Sequence, residues 1–225
     1  MTTETTKTFT FSPSPWLAER SETTYKIFTM AMKIEGDVAE CGVYLGHTAH
    51  TFCEFLETVE IKKTVHLFDS FQGFPDDLID EEVAVSDPSS DWANLSAGAL
   101  SVSESAVRRF MSDVSQYEIH AGFFCDTFPQ FDEPLCFIHA DGDLYTSTAD
   151  IIKLADRVLV PGGLILFDDY GHENFPGVKV AVMQYLRQDR YEFYPIHNEC
   201  LGLAVKGGGD PALRPPIKVV KGPSW

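Results

Sequence analysis

Leu135-Cys136-Phe137-Ile138-His139-Ala140-Asp141-Gly142-Asp143-Leu144-Tyr145 is the stretch whose reading decides the fold. An unbroken apolar run meets a cluster of acids. Short apolar runs bounded by turn residues suit strands buried on both faces. Residues 148–160 then have helical spacing, and Pro161-Gly162-Gly163 reads as a turn. A second apolar run, Leu164-Ile165-Leu166-Phe167, closes on Asp168-Asp169-Tyr170. Strand, helix and strand joined by short turns form a βαβ unit with parallel strands. Both strands carry carboxylates at their carboxyl ends, where open α/β sheets bind ligands. Asp141, Asp168 and Asp169 should therefore converge. Three carboxylates in one place repel each other unless a proton or cation relieves them. The set reads as ligands for a hard divalent cation such as Mg²⁺. Asp143 reads as structural, capping the helix or binding the turn backbone.

Outward from this unit the same alternation continues. Residues 37–44 read as the first strand, with Gly42 and Gly46 opening a turn. Residues 48–59 read as a helix with Thr48 as its N-cap. A second strand, 64–68, ends at Asp69. Residues 72–91 are rich in acid, Pro and Ser, and their part 76–91 reads as a lid over a site. A helix is expected over 103–111, a strand over 117–120 and a helix over 178–188. Asp126 is placed as the cap of a short helix. Residues 193–196 and 202–205 read as a terminal antiparallel strand pair. The expectation is an α/β fold, a mostly parallel doubly wound sheet. It divides as a helical extension over 1–35, a main domain over 36–206 and a Gly/Pro-rich tail over 207–225.

Composition narrows the partners. The 225-residue chain is 44% hydrophobic and 12% aromatic, enough for a packed core. Its net charge is −17 and its pI about 4.6. Phosphate backbones and anionic bilayers need clustered Lys and Arg, so neither nucleic acid nor membrane is an expected partner. Cys41, Cys53, Cys125, Cys136 and Cys200 form no CxxC pair and read as reduced thiols of a cytoplasmic protein. The apolar spacing over 16–34 suits helices that either cover the sheet or form a homodimer contact.

Two further segments point to a cofactor. Glu40-Cys41-Gly42-Val43-Tyr44-Leu45-Gly46-His47-Thr48 closes the first strand with a turn through which backbone can approach a ligand. It is not GxGxxG. Asp69, at the end of the second strand, stands where an acid holds ribose hydroxyls. Ser70 and Phe71 follow it. Gly122-Phe123-Phe124 adds aromatics after the third strand. Together these fit an adenosine-containing cofactor. His47, His120, His139 and His172 fall near strand ends, where each is either a base or a structural residue.

These segments resemble the macrocin O-methyltransferase family, whose members are S-adenosylmethionine-dependent and metal-dependent sugar O-methyltransferases. The likeness runs through 36–43, Asp69 to Pro75, 122–127, Asp141 to Thr148 and Pro161 to Gly171. It implies a class I methyltransferase fold. It implies that Glu40, Gly42 and Thr48 line the methionine part of S-adenosyl-L-methionine and that Asp69 holds the ribose. Ser70 and Phe124 would flank the adenosine, and Tyr44, Gly46 and Phe71 stand among the expected cofactor-binding residues. Asp141, Asp168 and Asp169 would bind Mg²⁺, with Asp141 also touching cofactor and acceptor. His47 departs from a usual glycine and Phe123 from a usual tryptophan. The segment between Pro75 and Tyr117 is short and acidic, so the family's macrolide-sugar acceptors are not carried over.

The expected reaction is methyl transfer to a hydroxyl of a small molecule, a sugar or another vicinal diol, in a natural-product or glycan pathway. Asp141 is the first candidate for the base, a strand-end histidine the second. Three alternatives stand beside it. They are a catechol-type O-methyltransferase, a dinucleotide-dependent oxidoreductase, and a non-catalytic cofactor-binding protein.

Overall fold

The computed structural model describes residues 18–75, 97–196 and 200–208. Seven strands form one sheet: β1 Asp37–Cys41, β2 Val65–Asp69, β3 Tyr117–Ala121, β4 Leu135–Ala140, β5 Leu159–Phe167, β6 Tyr191–Ile196 and β7 Leu201–Lys206. The helices are α1 Ala18–Ala31, α2 His47–Thr58, α3 Glu104–Phe110, α4 Phe124–Thr127, α5 Tyr145–Val158 and α6 Pro176–Tyr185. Strand order is β3-β2-β1-β4-β5-β7-β6. β1 to β5 pair in parallel, and β7 runs against both β5 and β6. This is the class I methyltransferase architecture expected from the sequence. The chain order reverses between β1 and β4, which opens a crevice at the carboxyl ends of those strands.

Alternate strand residues feed two apolar layers, as the two-residue period of a strand requires. Val38, Leu67, Phe137 and Leu166 face one layer, with Phe28 of α1 and Phe52 of α2. Ala39, Phe68, Ile138 and Ile165 face the other, with Ile151 and Ile152 of α5 and Val182 of α6. Phe28 stacks on Phe52 at 4.1 Å and meets Phe137 edge-on at 5.8 Å. The N-terminal helix is thus built into the core. In α2 the buried residues Ala49, Phe52, Cys53 and Leu56 recur at helical spacing.

Several boundaries differ from the sequence reading. β1 stops at Cys41, because Gly42 and Tyr44 take positive φ. α2 begins at His47, and its N-cap is Gly46 in the left-handed conformation, not Thr48. α5 starts at Tyr145 after Leu144, so Asp143 is not its cap. Asp126 lies inside α4, whose N-cap is Phe123. Pro161-Gly162-Gly163 does not precede β5 but lies within it. Leu135 pairs with Leu159 and Phe137 with Leu164, so residues 160–163 are an out-of-register excursion. The acidic segment 76–91 and the tail beyond residue 208 lie outside the described residues. No helix among the described residues is long and apolar enough to cross a membrane. The five cysteines are free, and Cys41, Cys53 and Cys136 are buried.

Candidate active site

The carboxyl ends of five neighbouring strands are stitched together one step beyond the regular ladder. Gly122 N–H donates to Asp69 O, Gly42 N–H to Phe68 O, Asp141 N–H to Cys41 O and Asp168 N–H to Ala140 O, all at 2.8–2.9 Å. Asp69, Asp141 and Asp168 therefore sit on one rim. A cleft of about 920 Å³ opens there.

The glycine turn is shaped by what crosses it. At Gly42 (φ +93°) a Cβ would lie 1.9 Å from the Asp141 carbonyl oxygen, so any side chain would collide with backbone. Asp69 clamps the same turn. Its Oδ2 accepts from Val43 N–H at 2.7 Å and Tyr44 N–H at 3.1 Å, and its Oδ1 accepts from Phe71 N–H at 2.7 Å. Asp69 thus holds two loops in place and also faces the cleft. Phe124 stacks on Phe128 at 4.6 Å with planes 8° apart. That fixes its ring at the cleft wall.

Of the expected cofactor residues, Gly42, Tyr44, Asp69, Ser70, Phe124 and Asp141 line the cleft. Glu40, Gly46, Thr48 and Phe71 are not in its wall. Glu40 is 2% exposed, and its Oε1 meets His139 Nδ1 at 3.2 Å. Among the described residues its Oε2 meets no hydrogen-bonding side chain, and the Ala49 backbone adds to the His139 contact in holding its charge. Burial raises the Glu40 pKa, and the His139 contact opposes that rise. His47 packs edge-on against Phe110 at 4.6 Å. Of the strand-end histidines, His172 lines the cleft.

The acidic cluster is larger than the sequence suggested. Asp141, Asp143 and Asp169 offer ligand oxygens within 4.8 Å of one another, and His139, Asp141 and Asp168 do the same. Asp143 and Asp169 both take left-handed φ, 58° and 56°. Aspartate tolerates that conformation better than most residues. Burial raises the pKa of Asp141 well above the usual carboxylate value, and Asp168, Asp143 and Asp169 add to it. Asp143 is pushed up by burial and then by Asp169, and Asp169 by burial and then by Asp168.

One residue had no sequence signal. Arg20, on α1, reaches across the rim. Its Nε donates to Asp168 Oδ1 and its Nη2 to Asp169 Oδ1, both at 2.6 Å. Its side chain is 12% exposed. Burial works against its charge, but Asp168, Asp169 and Asp141 outweigh that and raise its pKa. A lone Arg far from either motif carries no periodicity that would mark it.

His66, Glu118 and His120 form a separate trio. His66 Nδ1 and His120 Nε2 satisfy each other at 3.1 Å. The His120 ring stacks on Phe68 at 4.4 Å, and the His66 ring meets Phe131 at 4.8 Å. This is a packed imidazole pair on the sheet.

A family model described as Macrocin-O-methyltransferase (TylF) matches residues 20–198. The chain belongs to the macrocin O-methyltransferase family. It is 32% identical over 164 residues to mycinamicin III 3''-O-methyltransferase of Micromonospora griseorubida, covering 70% of this chain and 62% of that protein. It is 33% identical over 159 residues to demethyldecarbamoylnovobiocin O-methyltransferase of Streptomyces niveus, covering 68% and 58%. The chain thus spans less than two thirds of the length of either relative. The solved structure of the O-methyltransferase NovP superposes with a TM-score of 0.69 at 26% identity, covering 84% of this chain and 79% of that one.

Proposed function

We propose that this protein is an S-adenosylmethionine-dependent O-methyltransferase. Its acceptor is a hydroxyl of a sugar or other vicinal diol in a natural-product or glycan pathway, and a divalent cation assists the transfer. The observation that carries this reading is the convergence of Asp141, Asp168 and Asp169 on the rim that also holds Gly42, Asp69 and Phe124. Membership of a methyltransferase family supports it, and so does the absence of the GxGxxG turn that the oxidoreductase alternative needs.

The residues fit a cation by a test of charge. Four buried or half-buried carboxylates face one guanidinium, Arg20, and the mutual repulsion that raises the pKa of Asp141, Asp143 and Asp169 is what a bound cation would relieve. All-oxygen donors of this kind suit Mg²⁺ or Mn²⁺. Asp141, Asp168 and Asp169 would hold it, with Asp143 within reach as a fourth oxygen donor. Such an ion, when bound, lowers the pKa of a hydroxyl at its side. S-adenosylmethionine, when bound, supplies a methyl group already activated on sulfonium.

The chain's own groups then have three tasks. Asp141 accepts the hydroxyl proton at a carboxylate oxygen. His172 is the second candidate for this proton. Gly42 lets backbone approach the cofactor, with the turn held by Asp69. The stacked Phe124 offers a flat apolar wall to a purine. Water exclusion falls to the cleft walls.

Two measurements test the reading. S-adenosylhomocysteine should raise the melting temperature, by an amount equivalent to about 2.7 kcal/mol at a hundredfold excess over Kd. Asp168→Ala should lose cation-dependent turnover on a diol acceptor while that stabilisation persists. An absent shift in the wild-type protein would remove the cofactor assignment, and an active Asp168→Ala enzyme would remove the cation's role.

A further inference from the structure

Arg20 sits where the cation reading needs an ion. Its fork spans Asp168 Oδ1 and Asp169 Oδ1 at 2.6 Å each, and these carboxylates are two of the three expected ligands. The contact is largely buried, with 12%, 11% and 8% side-chain exposure for Arg20, Asp168 and Asp169. It joins residues 148 and 149 positions apart, so it is a tertiary contact and not a consequence of local chain geometry. A forked guanidinium holding two carboxylates is among the stronger polar contacts a protein makes. A divalent ion that takes these same two Oδ1 atoms has to displace the guanidinium from them.

We propose that Arg20 is a built-in counter-cation, which stabilises the ligand cluster while it is metal-free and must let go of Asp168 and Asp169 for the divalent ion to bind. The affinity for the ion is then set by α1 as well as by the ligands. The inference rests on the cation reading above. Its physical logic has two parts. Without Arg20 or an ion, the carboxylates of Asp141, Asp143, Asp168 and Asp169 would lose the guanidinium that bridges two of them and would repel one another more strongly. With Arg20 in place, an incoming ion must break two charge-assisted hydrogen bonds and also meet a like charge. Arg20 lies at the start of the described part of α1, and Phe28, farther along, anchors that helix between Phe52 and Phe137. The side chain can therefore swing away while the helix stays docked.

The test is Mn²⁺ binding by calorimetry to wild type, Arg20→Gln and Arg20→Lys, each without cofactor. NMR of the arginine side-chain Nε–H signals of the wild type goes with it. Arg20→Gln should bind Mn²⁺ about tenfold more tightly or better, because competitor and like charge are both gone. Arg20→Lys, which keeps a charge but not the fork, should fall between. Addition of Mg²⁺ to the wild type should shift the Arg20 Nε–H signal out of its hydrogen-bonded position as the ion saturates. Equal affinity in wild type and Arg20→Gln, or an Arg20 signal unmoved at saturation, overturns the proposal and leaves the cation site standing. No Mn²⁺ binding in any of the three proteins overturns both. If Arg20→Gln does not fold, the Arg20→Lys isotherm and the wild-type signal still decide.

Discussion

Gly42 shows how much of the site rests on single residues. The Asp141 carbonyl passes where its Cβ would be, and its φ is +93°. Gly42→Ala must move the rim that carries Asp141, and we expect a loss of more than about 2 kcal/mol by denaturant unfolding, together with loss of cofactor binding. Asp141, Asp168 and Asp169 were legible because acids at strand ends break an apolar pattern. Asp143 was passed over, since an acid before a helix usually caps it, and here the N-cap is Leu144, with no side-chain cap. Arg20 was illegible, because pairing across 148 positions leaves no local trace. Asp69 was legible as a site residue, but its bonds to Val43, Tyr44 and Phe71 show a second task that spacing alone does not encode.

Among the elements, strands were read more reliably than the turns between them. Long apolar runs such as Leu164 to Phe167 have few alternatives to burial. Pro161-Gly162-Gly163 reads locally as a stop, yet pairing with β4 on both sides overrides it, and the glycines absorb the excursion instead. α1 was legible as a helix but not as a core element. Phe28→Ala should cost about 3–5 kcal/mol, measured by urea unfolding, because it empties the space between Phe52 and Phe137. The imidazole pair between β2 and β3 gives a pH signature. Burial lowers the pKa of His66 and also, with repulsion from His66, that of His120. Asp37, Glu118 and Glu133 pull His66 the other way, and Glu118 does so for His120, without prevailing. The unfolded chain protonates these rings near pH ~6.5 and the folded one only below that. Their contribution is therefore complete above about pH 6.5 and is lost as pH falls from there. His120→Phe should flatten that decline in a series of melting temperatures.

The whole molecule is strongly acidic, with a net charge of −17, and the cleft shares that character. Among the described residues its wall carries Arg20 and Lys153 against Asp69, Asp141, Asp143, Asp150, Asp168 and Asp169. A neutral glycoside or diol should therefore be a better acceptor than an anionic one such as a sugar nucleotide. The KM for the anionic acceptor should fall as salt screens the repulsion. A preference for the anionic acceptor at low salt would contradict this. The doubly wound sheet could be foreseen because alternation of strands and helices fixes it. The position of β7 was not foreseeable, because the sequence shows that two final strands pair but not which of them takes the inner place.

That inner place has a consequence for synthesis. β7 is the last strand among the described residues, yet it lies between β5 and β6. Until residues 201–206 emerge from the ribosome, the β5 backbone from Leu164 to Phe167 has no partner on that side, and β6 has none on the side that β7 covers. The nascent protein thus holds an open, wholly apolar edge until its final strand arrives, and such edges recruit other chains. A chain cut after Ile196 should collect in inclusion bodies, whereas supplying residues 200–208 as a separate peptide during refolding should recover soluble protein.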